Sequence, residues 1–218
     1  MPMTYESMAE DILRYIDSRG LSDVALLGHS MGGKVAMTVA LSLTALGHKD
    51  LLSHLLVSDI APTRAELLPD FVKYIDAMLE VNALPAGAVK TRSDVDLLLQ
   101  RHESDLAIRQ FLLTNLLLPK PSQSDRKPHF NLPLDVLRRS IPELGSFPYN
   151  VNDHIRTRWT GKTLIFRGLR SSYIDDSNKN SFTKFFPDSR MEKLDTGHWV
   201  HAEKPNQFKD LVVKFIQP

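Results

Sequence analysis

The first pattern in the chain is helical. Between residues 4 and 19 the apolar positions recur every three or four residues, at Met8, Ile12 and Ile16. Ser7 and Glu10 have the spacing of a capping box, and Gly20 is a typical stop signal. The pattern predicts an amphipathic helix from Thr4 to Arg19.

Two apolar runs with a helix between them follow. Residues Asp23 to Gly28 form a continuous apolar run, which is typical of a strand buried on both faces of a parallel sheet. Lys34 to Leu46 is helical in character, and Leu51 to Ile60 predicts a second buried strand that ends before Pro62. A strand, a helix and a strand in this order predict a βαβ crossover and an α/β fold.

The same alternation returns near the end of the chain. The apolar runs predict two strands, Lys162–Arg167 and Arg190–Leu194, and two helices, Ser177–Phe186 and Gln207–Ile216. We therefore expect residues 1–62 and 159–218 to build one α/β core, with a mostly parallel sheet and helices on both of its faces.

The intervening residues 63–158 have helical spacing without strand partners. Residues 95–118 are rich in leucine, 119–128 form a polar loop with prolines and serines, and 130–141 are expected to lead back to the core. One predicted helical face carries Leu67, Leu68, Phe71, Ile75, Met78 and Leu79. This pattern predicts a helical cap inserted into the core, followed by a return segment.

Composition narrows the range of functions. The 27 basic and 26 acidic residues give a net charge of +1 and are scattered, which argues against nucleic-acid or anionic-membrane binding and favours a small neutral or amphiphilic substrate. The chain has no cysteine, which excludes disulfides, thiolate metal sites and cysteine nucleophiles. No apolar run is long enough to predict a membrane span, and the acidic start does not resemble a targeting segment.

The strongest chemical motif is Gly28-His29-Ser30-Met31-Gly32. It matches G-x-S-x-G between a predicted strand and a predicted helix, the context of a nucleophile elbow. We expect Gly28 and Gly32 to remove Cβ clashes around a strained Ser30, and the helix N-terminus to favour negative charge beside it. The alternatives are a structural turn or a phosphate-binding loop.

A serine nucleophile needs a general base, and His198 follows the last predicted strand, where such a base is expected. His198 and His201 could also be read as a metal pair, but no further ligand pattern accompanies them, so we predict neither a metal nor another cofactor. His29 is expected to pack beside the elbow or line the pocket. The other histidines lie in the cap, in loops or beside the second strand: His48, His54, His102, His129 and His154.

The acid of the site has more than one candidate. After the strand at 162–167 the chain offers no carboxylate until Asp175 and Asp176, whereas Asp59 ends the neighbouring strand. We favour Asp59 to orient His198, with Ser171 as a supporting hydrogen-bond partner. Asp175 and Asp176 are the rivals, and a role as a turn residue is the structural alternative for Asp59.

Together the segments GHSMGGKVAM, VSDIAP, IRQFLLTNL and DTGHWVHAEKP resemble one branch of the α/β-hydrolase superfamily. This branch contains the mitochondrial alpha/beta-hydrolase domain protein eleven, the fungal ethanol acetyltransferases and related bacterial esterases. The resemblance implies an α/β-hydrolase fold, a triad of Ser30, Asp59 and His198, and a supporting serine that aligns with Ser171. We also expect Trp199 to line the pocket beside His29.

The chain departs from this family at its start. Members begin with further strands and a His-Gly loop that supplies one oxyanion donor, and no such segment precedes the first predicted helix. We therefore expect a shortened fold in which the N–H of Met31 is the identifiable donor and LLGH forms a bare sheet edge. Such an edge predicts self-association or pairing with a partner chain.

These features predict a serine hydrolase for short or medium acyl esters or thioesters. An alcohol acyltransferase that makes acetate esters from acetyl-CoA uses the same triad and stays open. A catalytically impaired interaction module is the third possibility. The resemblance implies a mitochondrial location, and the lack of a recognisable targeting segment favours the cytoplasm otherwise.

Overall fold

The computed structural model describes residues 3–64, 69–120, 122, 126–150 and 157–217. Leu67, Leu68 and His154, named above, lie outside these ranges. The chain divides into two compact units: a core unit within Met3–Ala65 and Glu143–Pro218, and a helical unit within Glu66–Pro142. None of the described helices is long and apolar enough to cross a membrane.

The elements alternate in the core unit and are mainly helical in the other. In chain order they are α1 (Tyr5–Ser18), β1 (Val24–His29), α2 (Met31–Leu46), β2 (Leu52–Ser58), α3 (Pro69–Ala83), α4 (Arg92–Leu99), α5 (Leu106–Leu113), β3 (Leu116–Leu117), β4 (His129–Phe130), α6 (Leu134–Gly145), β5 (Lys162–Gly168), α7 (Ser181–Phe185), β6 (Ser189–Leu194), α8 (Val200–Glu203) and α9 (Pro205–Ile216).

The core unit contains a parallel sheet with the strand order β1-β2-β5-β6. Side chains alternate across it: Leu55 and Val57 of β2 join a cluster that includes residues of α1 and α2, whereas Leu56 joins one that packs with α9. Successive residues of a strand point to opposite faces, so both faces of the sheet are covered. This confirms the predicted α/β architecture with helices on both faces.

Helix α1 begins one turn before the predicted capping box. Thr4 is the N-cap, its hydroxyl accepts a hydrogen bond from Ser7 N–H, and the Ser7 hydroxyl accepts one from Thr4 N–H. The prediction that pairs Ser7 with Glu10 is therefore wrong. Gly20 does follow the helix end in the left-handed region, at φ 59°.

The prediction that β1 is buried on both faces is also wrong, because β1 is the outermost strand of the sheet. Residues 24–27 alternate between partly buried and exposed, and Leu27 is 42% exposed. An open groove of about 460 Å³ lies beside it and is lined mainly by apolar side chains of α1, β1 and α2, among them Ile12, Leu26 and Val35. Among the described strands β1 pairs only with β2, so LLGH lies at a sheet edge, as expected.

The helical unit has a hydrophobic cluster of its own. Ile75 and Met78 of α3 are buried in it, but Phe71, predicted on the same face, is 38% exposed. The leucine-rich segment is not wholly helical, because Leu116 and Leu117 form β3, which pairs antiparallel with β4. The two strands are separated by eleven residues in sequence, so no local pattern predicts their pairing.

The end of α6 belongs to the core unit. The Tyr5 hydroxyl donates to Leu144 O at 2.7 Å, and Lys34 Nζ donates to Ser146 O at 3.0 Å and to Gly145 O at 3.3 Å. The division between the units falls after Pro142, within the predicted cap and return segment 63–158. Helix α7 is shorter than predicted, since residues 176–180 form turns.

Candidate active site

Ser30 sits on a strained turn between β1 and α2. Its backbone has φ 54° and ψ −123°, a conformation that residues with a side chain rarely adopt. The Ser30 N–H still bonds to Ser58 O at 2.9 Å, so the turn starts directly at the end of the strand pairing. A serine in this conformation at this position is the geometry that the motif predicts.

The glycines around Ser30 contribute differently from the prediction. A Cβ on Gly28 would lie 2.1 Å from the carbonyl oxygen of Gly32, so Gly28 is sterically required. A Cβ on Gly32 would meet nothing within 4 Å, so the expected steric role of Gly32 is wrong. Gly33 is the second constrained position, because its Cβ would lie 2.7 Å from Ile60 Cγ2 and disturb the packing of α2 on the sheet.

The N-terminus of α2 lies directly after the nucleophile candidate. Met31 is the first residue of this helix, and the first N–H groups of any helix have no carbonyl partner within it. The Ser30 side chain makes no capping bond to the helix. The N–H of Met31 therefore lies at the free N-terminus of α2, directly after Ser30, and its role as an oxyanion donor stays a prediction.

Asp59 and His198 are brought together at the next strand end. Asp59 is fully buried and, like Ser30, has a positive φ of 51°. Its Oδ2 lies 2.9 Å from His198 Nδ1, and its Oδ1 accepts the Gly168 N–H at 2.9 Å. A carboxylate only accepts hydrogen bonds, so the His198 Nδ1 carries a hydrogen and leaves Nε2 as the basic nitrogen.

The rival acids are engaged elsewhere. Asp175 accepts hydrogen bonds from Ser177 and from Asn178 N–H, which lowers its pKa and closes a local turn. Asp176 pairs with Lys179 at 2.8 Å, which lowers the pKa of its exposed carboxyl. Of the three candidate acids, Asp59 is the one in contact with His198.

Gly168 has a second function besides its bond to Asp59. A Cβ at this position would lie 2.3 Å from the Gly197 carbonyl oxygen. The segment before His198 therefore passes directly over the end of β5. Only glycine lets β5 donate to Asp59 while the loop stays this close.

Charged side chains that include Arg170 and Glu203 hold the loop that carries His198. Glu203 accepts hydrogen bonds from Gly197 N–H at 2.9 and 3.0 Å and from the Arg170 guanidinium at 2.7 Å. Arg170 also pairs with Asp195, and its N–H donates to Thr196 O. Sequence reasoning missed Arg170 and Glu203, because no local spacing connects them.

Aromatic rings surround the His198 imidazole. Tyr173 stacks on it with ring centroids 4.1 Å apart, and His29 lies 4.6 Å away. Ser171, predicted to support the triad directly, instead accepts a hydrogen bond from Tyr173 N–H at 3.3 Å. Its place beside Asp59 is taken by Gly168 N–H, and sequence reasoning missed Tyr173 as a contact of the base.

Three further predicted residues lie near this site. Trp199 is partly exposed and its ring is 5.4 Å from that of His29, while His29 also borders the groove beside β1. His201 contacts the His29 ring edge-on at 4.7 Å. Within the described ranges, no group of three or more His, Asp or Glu side chains is arranged to hold a metal ion.

Comparison with known proteins places this geometry in a family. The family model described as alpha/beta hydrolase fold matches residues 2–205. The sn-1-specific diacylglycerol lipase ABHD11 of Danio rerio is 31% identical over 99% of this chain, and a probable alcohol acetyltransferase of Saccharomyces cerevisiae is 32% identical over 98%. The chain spans 64% and 63% of the lengths of these two relatives.

Among solved structures, a marine microorganism esterase superposes with a TM-score of 0.83 at 30% identity, covering 98% of this chain and 77% of the esterase. The named relatives are thus an esterase, a diacylglycerol lipase and a probable alcohol acetyltransferase. The family model covers nearly the whole chain, and this protein is therefore an enzyme of the α/β hydrolase fold family.

Proposed function

We propose that this chain transfers acyl groups from esters or thioesters through a triad of Ser30, His198 and Asp59. The observation that carries the proposal is the buried Asp59 carboxylate, whose Oδ2 lies 2.9 Å from His198 Nδ1. The strained Ser30 stands at the end of the adjacent strand. A buried carboxylate that orients an imidazole is the arrangement that activates a serine hydroxyl.

In this mechanism the Ser30 Oγ attacks the substrate carbonyl carbon while His198 Nε2 takes the hydroxyl proton. Asp59 stabilises the imidazolium that forms, and the Met31 N–H donates to the carbonyl oxygen as it becomes negative. His198 then returns the proton to the leaving alcohol or thiol. The acyl-enzyme is released by water or by an alcohol, activated by the same histidine.

The proposed substrates are short or medium acyl esters or thioesters. The lipase and the esterase among the relatives support hydrolysis, and the probable alcohol acetyltransferase supports transfer to an alcohol. Both reactions proceed through the same acyl-enzyme and differ in the acceptor. A mitochondrial location stays a prediction of the family resemblance.

Labelling with a fluorophosphonate tests the triad directly. We expect one adduct per chain at Ser30 and none in Ser30→Ala, whose ester hydrolysis should fall by about 10⁵-fold or more. Ser18→Ala is the matched control, because the exposed Ser18 hydroxyl only bonds to Tyr15 O of its own helix. A folded wild-type chain that neither labels at Ser30 nor hydrolyses p-nitrophenyl acetate or butyrate contradicts the proposal.

The acceptor can be determined with the same preparation. Acetyl-CoA or an acetate ester is supplied with increasing ethanol, and free acid and ethyl ester are measured together. A hydrolase gives acid at every ethanol concentration, whereas an acyltransferase gives ester that saturates with ethanol. Ester formation that is unchanged in Ser30→Ala would exclude the triad from the transfer.

Association through β1 is a second candidate function, supported by the bare edge of the sheet. Leu27 is 42% exposed there and VALLGH carries no acidic, lysine or arginine side chain, whereas the opposite edge strand, β6, includes Arg190, Glu192 and Lys193. Charged side chains are a usual protection of edge strands against pairing. We propose that the purified chain pairs with itself or with a partner strand at β1, and sedimentation across a concentration series tests self-pairing.

A further inference from the structure

His29 makes a contact that the proposed triad does not use. Its Nε2 lies 2.9 Å from the carbonyl oxygen of His198, although the two residues are 169 positions apart. A carbonyl oxygen only accepts, so His29 donates and its Nε2 carries the hydrogen. The bond therefore joins the residue before the nucleophile candidate to the main chain of the base candidate.

The position of His29 makes this bond a restraint on both residues. It is the last residue of β1, directly before Ser30, and its backbone is in register with Ser58, which precedes Asp59. Asp59 holds the His198 side chain, whereas the main chain of the His198 loop is held by Arg170, after β5, and by Glu203, in α8. His29 is the described contact that ties the loop to the strand of the nucleophile.

The charge state of His29 suits the same role. Burial lowers the pKa of His29, and the neighbouring His198 and His201 lower it further, while its bond to the His198 carbonyl and the nearby Asp59 oppose the shift. The ring is therefore neutral near pH 7. A second positive charge 4.6 Å from His198 would disfavour the imidazolium that forms when Ser30 loses its proton.

We propose that His29 is a positioning residue that holds the main chain of His198 through its Nε2–H, keeping the imidazole aligned with Ser30. The inference deepens the proposed function and rests on it. Simple packing beside the elbow would require only the volume of the ring, whereas positioning requires the donor. The two possibilities differ in what a substitution must preserve.

His29→Gln and His29→Met form a matched pair for this question. The Gln amide nitrogen is three bonds from Cβ, as is His29 Nε2, and Met places an apolar methyl at the same distance. A displacement of about 1 Å at a reacting group can reduce turnover about 100-fold. We expect His29→Met to lower kcat by about 10- to 100-fold with KM within twofold, and His29→Gln to recover most of the loss.

The assay measures kcat, KM and the rate of fluorophosphonate labelling at Ser30, with circular dichroism and Tm for each variant. Equal kcat in wild type and His29→Met, or equal loss in Met and Gln at unchanged Tm, would overturn the positioning role. A wild-type chain that does not label would instead overturn the proposed function. If the wild-type chain labels at Ser30 and His29→Met keeps the wild-type kcat, the positioning role of His29 is refuted and the proposed function is not.

A measurement on the wild-type chain does not depend on activity. Two-bond ¹H–¹⁵N spectra of ¹⁵N-histidine-labelled protein distinguish the imidazole tautomers, and His29→Gln assigns the His29 signals. We expect neutral His29 near pH 7 with its hydrogen on Nε2. A hydrogen on Nδ1 would leave nothing to donate to the His198 carbonyl and would refute the inference.

Discussion

Lys34 is a buried cation without a carboxylate partner among its described contacts. Its side chain is 4% exposed, donates to the carbonyl oxygens of Gly145 and Ser146, and lies 5.5 Å from the centre of the Tyr5 ring. These groups are neutral, so they compensate only in part for the loss of hydration. Burial lowers the pKa of Lys34 to about 8.

This pKa makes the stability of the fold depend on pH. An exposed lysine has a pKa of 10.5, so between pH 8 and 10.5 the unfolded chain holds a proton that folded Lys34 has lost. The free energy of unfolding therefore rises with pH in this window. From pH 7.5 to 9.5 the two pKa values give a gain of about 2 kcal/mol.

Urea unfolding of wild type and Lys34→Met at pH 7.5, 8.5 and 9.5 measures this gain. Methionine keeps the length of the stem but cannot titrate, so the stability of wild type relative to Lys34→Met should rise by about 2 kcal/mol across the series. Lys209→Met is the control for the substitution itself, because it removes an exposed ammonium instead of a buried one. If the free energy of unfolding of wild type relative to Lys34→Met stays constant or falls as the pH rises, the reasoning is refuted. The size of this difference at a single pH does not decide the question.

Three further predictions concern the candidate site and the sheet edge. Asp59→Asn should keep the fold but reduce kcat by about 10⁴-fold, because an amide does not stabilise the His198 imidazolium. Steady-state kinetics measures kcat and Tm checks the fold, and an unchanged kcat contradicts the triad. Gly168→Ala should lower stability by about 1–3 kcal/mol and impair labelling of the serine, because its Cβ would lie 2.3 Å from Gly197 O; unchanged urea midpoint and labelling rate would contradict this packing. Leu27→Lys should reduce any self-association without changing ester hydrolysis, and sedimentation that is identical to wild type would exclude β1 as the interface.

The elements of the core unit could be predicted because their signals are local. Continuous apolar runs and the G-x-S-x-G turn are contained in short windows, and β1, α2 and β2 lie close to the expected positions. Whether β1 is central or outermost depends on which other strands pair with it, which no local window contains. The apolar run therefore mispredicts the burial of Leu27, whereas the family resemblance predicts the edge position of LLGH.

The capping box of α1 shows that a local motif can also be assigned to the wrong residues. Only the frame of Ser7 and Glu10 fits the S/T-x-x-E/Q motif, because the earlier frame, Thr4 and Ser7, has a serine at its N3 position. The earlier frame is the one formed, and it makes Tyr5 the first residue of the helix, where its hydroxyl reaches Leu144 O. This contact is 139 positions away in sequence and has no local signal.

Part of the candidate site could be predicted because its signals, too, lie in short stretches of sequence. Ser30 is marked by its motif, and Asp59 and His198 could be inferred from their places after strands. Arg170 and Tyr173 are ordinary residue types in a loop, and their role follows from contacts with a second loop after β6. Only the folded chain brings these two loops together.

The sheet register fixes the spacing between two residues of the candidate site, Ser30 and Asp59. His29 is in register with Ser58, so the next residues, Ser30 and Asp59, leave two adjacent parallel strands at the same level. Both have positive φ, and each N–H bonds to the neighbouring strand, Ser30 to Ser58 O and Asp59 to Phe166 O. A strained backbone conformation is kept where the surrounding hydrogen bonds hold it in place. The strand pairing thus spaces the proposed nucleophile and the proposed acid, whereas the proposed base, His198, lies on a loop that needs separate anchoring.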